Sequence, residues 1–399
     1  MTMRFGLFIS PYSNPSCDPT AALHRNLALV RHADARGFHE AWVGEHHSNG
    51  YQIIGSPEVF IATAAQQTER IKLGTGVVSL PYHHPFQVAE RMVLLDHLTR
   101  GRVMFGVGPG ALPLDASMMG IDPMRQRQMM EQSLECILAL FRGESVTCKT
   151  DWFELSSARL QLLPYTRPCF EVAVSAVLSP SGPRLAGRFG TSMLAMAATV
   201  VPGFDGLSAH WNAYTEQCES HGHVPDRSRW RLVGPMHIAP TLEQAEEEVR
   251  HGLLEGVRFY QQNKVPLCEP YEDHDKLVRA VVDSGAAVIG TPQDAIERIR
   301  ELEQRSKGFG TYLLSMTDWA DEEATKRSLD LFANEVMPAF TGSREAPQRS
   351  WQRTLDMRDD LSARAGAATV QAVQVHLEGK SEGSELLDII NGGSAFSES

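Results

Sequence analysis

A carboxylate and two imidazoles follow one another in Gly44-Glu45-His46-His47, directly after the apolar run Ala41-Trp42-Val43. Such side chains exchange protons, orient one another or bind a metal. Adjacent residues on a strand point to opposite faces, so His46 and His47 are badly placed to chelate one ion together. The pair fits two histidines hydrogen-bonded at a loop edge equally well. A second pair, His83-His84, lies in Leu80-Pro81-Tyr82-His83-His84-Pro85. No HExxH spacing is present, and we expect no metal.

Two further segments carry potential ligand chemistry. Gly106-Val107-Gly108-Pro109-Gly110-Ala111 formally matches a dinucleotide fingerprint. That fingerprint must open directly into a helix, and Pro109 and Pro113 obstruct one, so we reject a nicotinamide site. The glycines instead leave room for a flat ligand or make a tight turn. Ser175-Ala176-Val177-Leu178-Ser179-Pro180-Ser181-Gly182-Pro183-Arg184 offers hydroxyls, helix N-terminal amides and a base. It reads as an anion site or as an ordinary proline-started helix cap. No GxSxG elbow or CGSC-type cysteine appears, and Asp115, Glu45 and Glu90 do not announce a glycosidase pair. Trp42, Phe105, Trp152 and Phe153 read as core.

The elements that must position these residues alternate regularly. Strands are expected at 4–9, 40–44, 71–78, 102–107, 170–175, 192–196, 230–237 and 311–315. Helices are expected at 19–36, 57–68, 85–98, 124–141, 180–188, 204–219, 242–260, 292–306 and 321–336. Eight β/α units predict an α/β protein with a (β/α)8 TIM barrel, whose chemistry sits at the strand C-termini. The polar stretch 261–284 reads as a mobile loop or lid. The barrel domain should cover 1–340. A linker and amphipathic C-terminal helix follow at 341–379, and the Gly-, Ser- and Glu-rich 380–399 reads as a disordered tail.

Composition narrows the partners. The 399 residues are 42% hydrophobic and 22% charged, ample for a large core. The net charge of −12 argues against nucleic acid or an anionic membrane. No signal-peptide pattern and no run of about 18 apolar residues is seen, so a cytoplasmic protein is expected. The six cysteines form no CxxC pair and read as reduced thiols.

Together these segments resemble the bacterial-luciferase-like flavin monooxygenases over roughly 4–340. The resemblance rests on Gly37-Phe38-His39-Glu40-Ala41-Trp42-Val43-Gly44-Glu45-His46-His47 and on Leu73-Gly74-Thr75-Gly76-Val77-Val78-Ser79-Leu80-Pro81. It rests equally on Leu95-Asp96-His97-Leu98-Thr99-Arg100-Gly101-Arg102 leading to Phe105-Gly106-Val107-Gly108, and on Val288-Ile289-Gly290-Thr291-Pro292. Within the family the chain looks most like limonene 1,2-monooxygenase-like members.

The resemblance implies that reduced FMN, supplied by a separate flavin reductase, reacts with O2 through a C4a-hydroperoxyflavin. A small hydrophobic substrate, a limonene-like alkene or a ketone or aldehyde, would be oxygenated. FAD or coenzyme F420 are alternative cofactors, and an F420-dependent oxidoreductase or a non-catalytic flavin-binding subunit are the alternative functions. A homodimer is expected. His46 matches the family's catalytic histidine, with Glu45 beside it. Gly76-Val77 matches a non-proline cis peptide beneath the isoalloxazine, Gly108 belongs to the glycine-rich strand end, and Met196 lies where the ring is contacted. Ser175, Ser179, Ser181 and Gly182 fall in the phosphate region. The family's Cys-Arg is Gly108-Pro109 here, so the phosphate-binding arginine is absent and Arg184 or the backbone must substitute.

Overall fold

A computed structural model describes residues 2–9, 13–262 and 267–377. Eight parallel strands close into a barrel: β1 (Arg4–Ile9), β2 (Glu40–Val43), β3 (Lys72–Thr75), β4 (Val103–Gly108), β5 (Glu171–Ala176), β6 (Ser192–Ala195), β7 (Trp230–Ile238) and β8 (Thr311–Met316). Each pairs with its sequence neighbour, and β8 returns to β1 with Arg4 opposite Thr311. Helices between the strands cover the outside, as parallel strands joined by right-handed crossovers require.

Alternation along each strand builds two cores. On β1, Phe5, Leu7 and Ile9 join the cluster between barrel and helices. The inward cluster takes Phe8, Trp42, Met104, Ala173, Leu194, Val233 and Leu313, one from each strand except β3. At that level β3 contributes Gly74, because a Cβ there would lie 2.6 Å from the Trp42 ring. Full burial of each large side chain stabilises the fold by about 1.5–3 kcal/mol.

The barrel floor is ionic. Arg231 on β7 is fully buried and forks onto both oxygens of Glu40, at 2.9 and 3.0 Å. It bonds Glu171 at 2.8 and 3.0 Å in the same way. Burial disfavours the Glu171 charge, but the guanidinium outweighs it and holds the carboxyl down at about 2. Every donor facing a carboxylate is what makes a buried ion cluster tolerable.

Local chemistry explains the turns into the site. Asp34 accepts the amides of Glu69, Arg70 and Ile71, which starts β3. The predicted strand 71–78 is interrupted between Lys72–Thr75 and Val78–Ser79, and the Gly76–Val77 peptide in the gap is cis. The Thr75 hydroxyl donates to Gly106 O at 2.7 Å and accepts Gly106 N at 2.9 Å, patching the ladder there. Val78–Ser79 then pairs again with Val107 and Gly108.

Two expectations need correction, and one stretch without an assigned element gains structure. The stretch 261–284 is not one long loop, since His274–Asp283 is a helix that buries Leu277, Val278 and Val281. Asp273 caps it by accepting Lys276 N at 2.9 Å. Residues 263–266 lie outside the described residues. Pro113 does not obstruct a helix but begins a short one, Pro113–Met118. The stretch before β5 contains an antiparallel hairpin, Val146–Lys149 with Glu154–Ala158.

The chain divides between Thr341 and Gly342 into two compact units. The second holds the helix Glu345–Leu377. The tail expected at 380–399 lies outside the described residues. No helix among those described is long and apolar enough to cross a membrane.

Candidate active site

The loops after β2 and β3 converge on one buried carboxylate. Glu45, 3% exposed, accepts His47 Nε2 at 2.8 Å and His83 Nε2 at 2.6 Å on Oε1. Its Oε2 accepts the Ser79 amide at 2.6 Å. Burial opposes its charge, but these donors prevail and hold the carboxyl below its usual range. Arg91 Nη2 donates to His83 Nδ1 at 3.4 Å, which fixes the Nε2–H tautomer facing Glu45. Glu58 in turn accepts Arg91 Nε at 3.1 Å.

His46 belongs to a second pair. Its Nδ1 lies 3.3 Å from Asp115 Oδ2, while Asp115 Oδ1 accepts the His47 amide at 3.2 Å. Asp115 is 1% exposed and sits in the short helix begun by Pro113. Burial again opposes its charge, and the bond from His46 helps to bring the carboxyl below the usual range. The His46 side chain keeps 17% exposure, and no described residue binds its Nε2. A charged acceptor at Nδ1 favours the Nδ1–H tautomer, with the lone pair on Nε2.

Glu45 and His46 are therefore neighbours in sequence that serve different partners. Glu45 does not contact His46, and the carboxylate that does is Asp115. The chain leaves strand geometry after Val43, so spacing alone misses this. A proline followed two residues later by an acid, placed just past a strand end, is the signal that could have found Asp115. Hydrogen bonding to Glu45, against the effect of burial, raises the pKa of His47. Tyr82 packs edge-on against His47 and accepts Gln126 Nε2 at 3.0 Å. Burial, with the Asp115 charge nearby, pushes its phenol up to about 12.

The other predicted residues fall into two groups. Val77, after β3, and Met196, after β6, pack against the inward core that includes Phe8 and form an apolar cap at its upper end. Gly108 borders them: a Cβ there would meet Val77 Cγ2 at 2.6 Å and Ser175 Oγ at 2.9 Å. Gly76 is enclosed instead, with Phe8 2.9 Å from a notional Cβ. The room expected for a flat ligand beside the remaining glycines is occupied by the chain's own groups. Gly106 faces Trp42 and the Thr75 carbonyl, and Gly110 faces Tyr82.

The second group lies at the end of β5. Ser179 and Ser181 hydroxyls are 2.7 Å apart, at the start of the helix Ser181–Phe189. Gly182 lets that helix approach, since a Cβ would lie 2.2 Å from Ser175 O. Arg184 is exposed in the first turn. Among the described residues no cluster of His, Cys, Asp or Glu could hold a metal.

Comparison with known proteins identifies the family. The profile described as luciferase-like monooxygenase matches residues 3–306. The chain belongs to the luciferase-like monooxygenase family. It is a flavin-dependent monooxygenase with the family's barrel. It is 46% identical over 370 residues to limonene 1,2-monooxygenase of Rhodococcus erythropolis, covering 93% of this chain and 94% of that one. It is 42% identical over 353 residues to 4-hydroxyprotoasukamycin monooxygenase of Streptomyces nodosus subsp. asukaensis, covering 88% and 95%. Its fold matches the oxygenating constituent of 3,6-diketocamphane monooxygenase of Pseudomonas putida in complex with FMN, at TM-score 0.73 and 25% identity, covering 85% of this chain and 99% of that one.

Proposed function

We propose that this monooxygenase is the oxygenase component of a two-component system. It takes reduced FMN from a separate reductase and uses O2 to oxygenate a small hydrophobic molecule, a limonene-like alkene or a ketone or aldehyde of similar size. The observation that carries the reading is His46, held through Nδ1 by buried Asp115 while no described residue bonds its partly exposed Nε2 side. The residues present fit a flavin. Phe8, Val77 and Met196 offer an apolar seat for a ring. The hydroxyls of Ser175, Ser179 and Ser181, the first-turn amides and Arg184 offer an anion seat.

Bound reduced flavin would supply the oxygen-activating chemistry. The chain's own task is to hold the ring against the cap, exclude water and move one proton at His46 Nε2. Asp115 stabilises the imidazolium when that nitrogen takes the proton. Glu45 acts at one remove, by tying the loops after β2 and β3 together through His47 and His83. A homodimer would cover Val59, Leu94 and Leu98, exposed on the neighbouring helices Pro57–Ala65 and Pro85–Thr99.

The test is anaerobic titration with reduced FMN, with FAD and F420 in parallel, followed by 18O2 and a substrate screen starting from limonene and cyclic ketones. Tight binding of reduced FMN and incorporation of one labelled atom are expected. Absence of a reduced-flavin complex, or product without label, overturns the proposal.

A further inference from the structure

We infer that His210 is a positioning residue for the loop that would receive the phosphoryl end of the cofactor. The inference rests on the flavin reading above. His210 lies in the middle of the helix Val201–Ser220 and is 3% exposed. Its Nε2 lies 3.2 Å from Leu178 O. A carbonyl only accepts, so Nε2 carries the hydrogen. Nδ1 is buried without a partner. A polar ring buried with half its capacity unused costs stability, which points to a task for its one bond.

That task is legible in the loop. Leu178 stands between Ser175 and the Ser179–Ser181 hydroxyl pair. Apolar burial does not hold the segment, because Val177 is 44% and Leu178 50% exposed. The backbone carbonyl is the anchor, and His210 holds it. The helix bearing His210 is itself fixed at two other points. Gly203 packs on Ala197 O, where a Cβ would come within 1.8 Å. Gly187 of the helix Ser181–Phe189 packs on Tyr214 O, at 2.4 Å from a notional Cβ. His210 therefore refers the serine loop to a frame that already includes the end of β6 and the helix starting at Ser181. With Gly108-Pro109 and no arginine at the end of β4, serine and amide spacing carries much of the anion recognition, and one lost anchor should be felt at the phosphate.

The experiment compares reduced FMN with reduced riboflavin, which lacks the phosphate, in anaerobic titrations of the full-length protein. His210→Leu should weaken reduced FMN by about tenfold, the worth of one buried hydrogen bond, and leave reduced riboflavin unchanged. His210→Gln, whose amide nitrogen reaches the Nε2 position, should restore the wild-type ratio. His210→Asn, which reaches only the Nδ1 position, should not. Unchanged riboflavin binding reports that the barrel is intact. Should the leucine variant fail to fold, the glutamine and asparagine variants carry the test. An FMN-to-riboflavin ratio equal to wild type in Leu and Asn, or equally impaired in Gln, overturns the inference. Wild-type protein that binds neither flavin overturns the flavin reading itself.

Discussion

At the scale of residues, two carboxylates divide the work. Asp115 faces His46, and Glu45 faces His47 and His83. Asp115→Asn keeps the shape but removes the charge that stabilises a protonated His46. Product per turnover of flavin should fall by about 100-fold, the lower end for a positioned acid–base group, with reduced FMN affinity nearly unchanged; an equal loss in both would point to a binding role instead. Glu45 makes a separate prediction about pH. Its folded pKa lies below the ordinary 4.5, so its stabilisation is present above that pH and lost as pH falls through the folded value. The His47 pKa lies above the ordinary 6.5, so its contribution is present below that pH and lost as pH rises through the folded value. Glu45→Gln should cost about 2 kcal/mol between those limits and flatten both slopes in melting temperature against pH. A variant that keeps both slopes would show that other groups set them. The residue types of the site were legible in the sequence because Gly44-Glu45-His46-His47 follows an apolar strand. The pairing was not, because the loop beyond Val43 sets it, and Asp115 lies 69 residues from His46.

At the scale of elements, close approach decides the site. Ala is a better helix former than Gly by about 1 kcal/mol, so Gly182→Ala should stabilise an isolated helix Ser181–Phe189. In the protein its Cβ would lie 2.2 Å from Ser175 O, and overpacking costs about 1–3 kcal/mol. The clash should win, lowering the melting temperature and weakening reduced FMN together; a rise in melting temperature would refute the packing account. All eight barrel strands were legible from apolar runs, and most helix boundaries fell within a few residues. The misses share a cause. Polar composition masked the helix His274–Asp283, although Asp273 caps it and Leu277, Val278 and Val281 share a face. The break in the strand at 71–78 is a backbone event that periodicity does not register.

At the scale of the whole molecule, the first unit ends at Thr341. The solved diketocamphane oxygenating constituent is covered almost completely, 99%, by 85% of this chain. The match to the limonene enzyme extends over 93% of it. We therefore expect a chain ending at Thr341 to fold and to keep reduced-flavin binding and oxygenation within about threefold, since no site residue named above lies beyond that point. Circular dichroism, anaerobic titration and product yield check this. A truncated chain that is soluble but binds no flavin would place part of the site in the second unit.

The ionic floor has a consequence for traffic. Arg231, Glu40 and Glu171 shut one end of the barrel, and Trp42 with its neighbours fills the middle. Arrivals and departures then share a single doorway at the opposite end. A ring seated on Phe8, Val77 and Met196 would lie deepest, so whatever comes second stands in its exit. We expect a queue: flavin enters before substrate, and spent flavin leaves only after product. Excess substrate should then slow flavin exchange in stopped-flow experiments, and exchange indifferent to substrate would show that the two do not share the doorway.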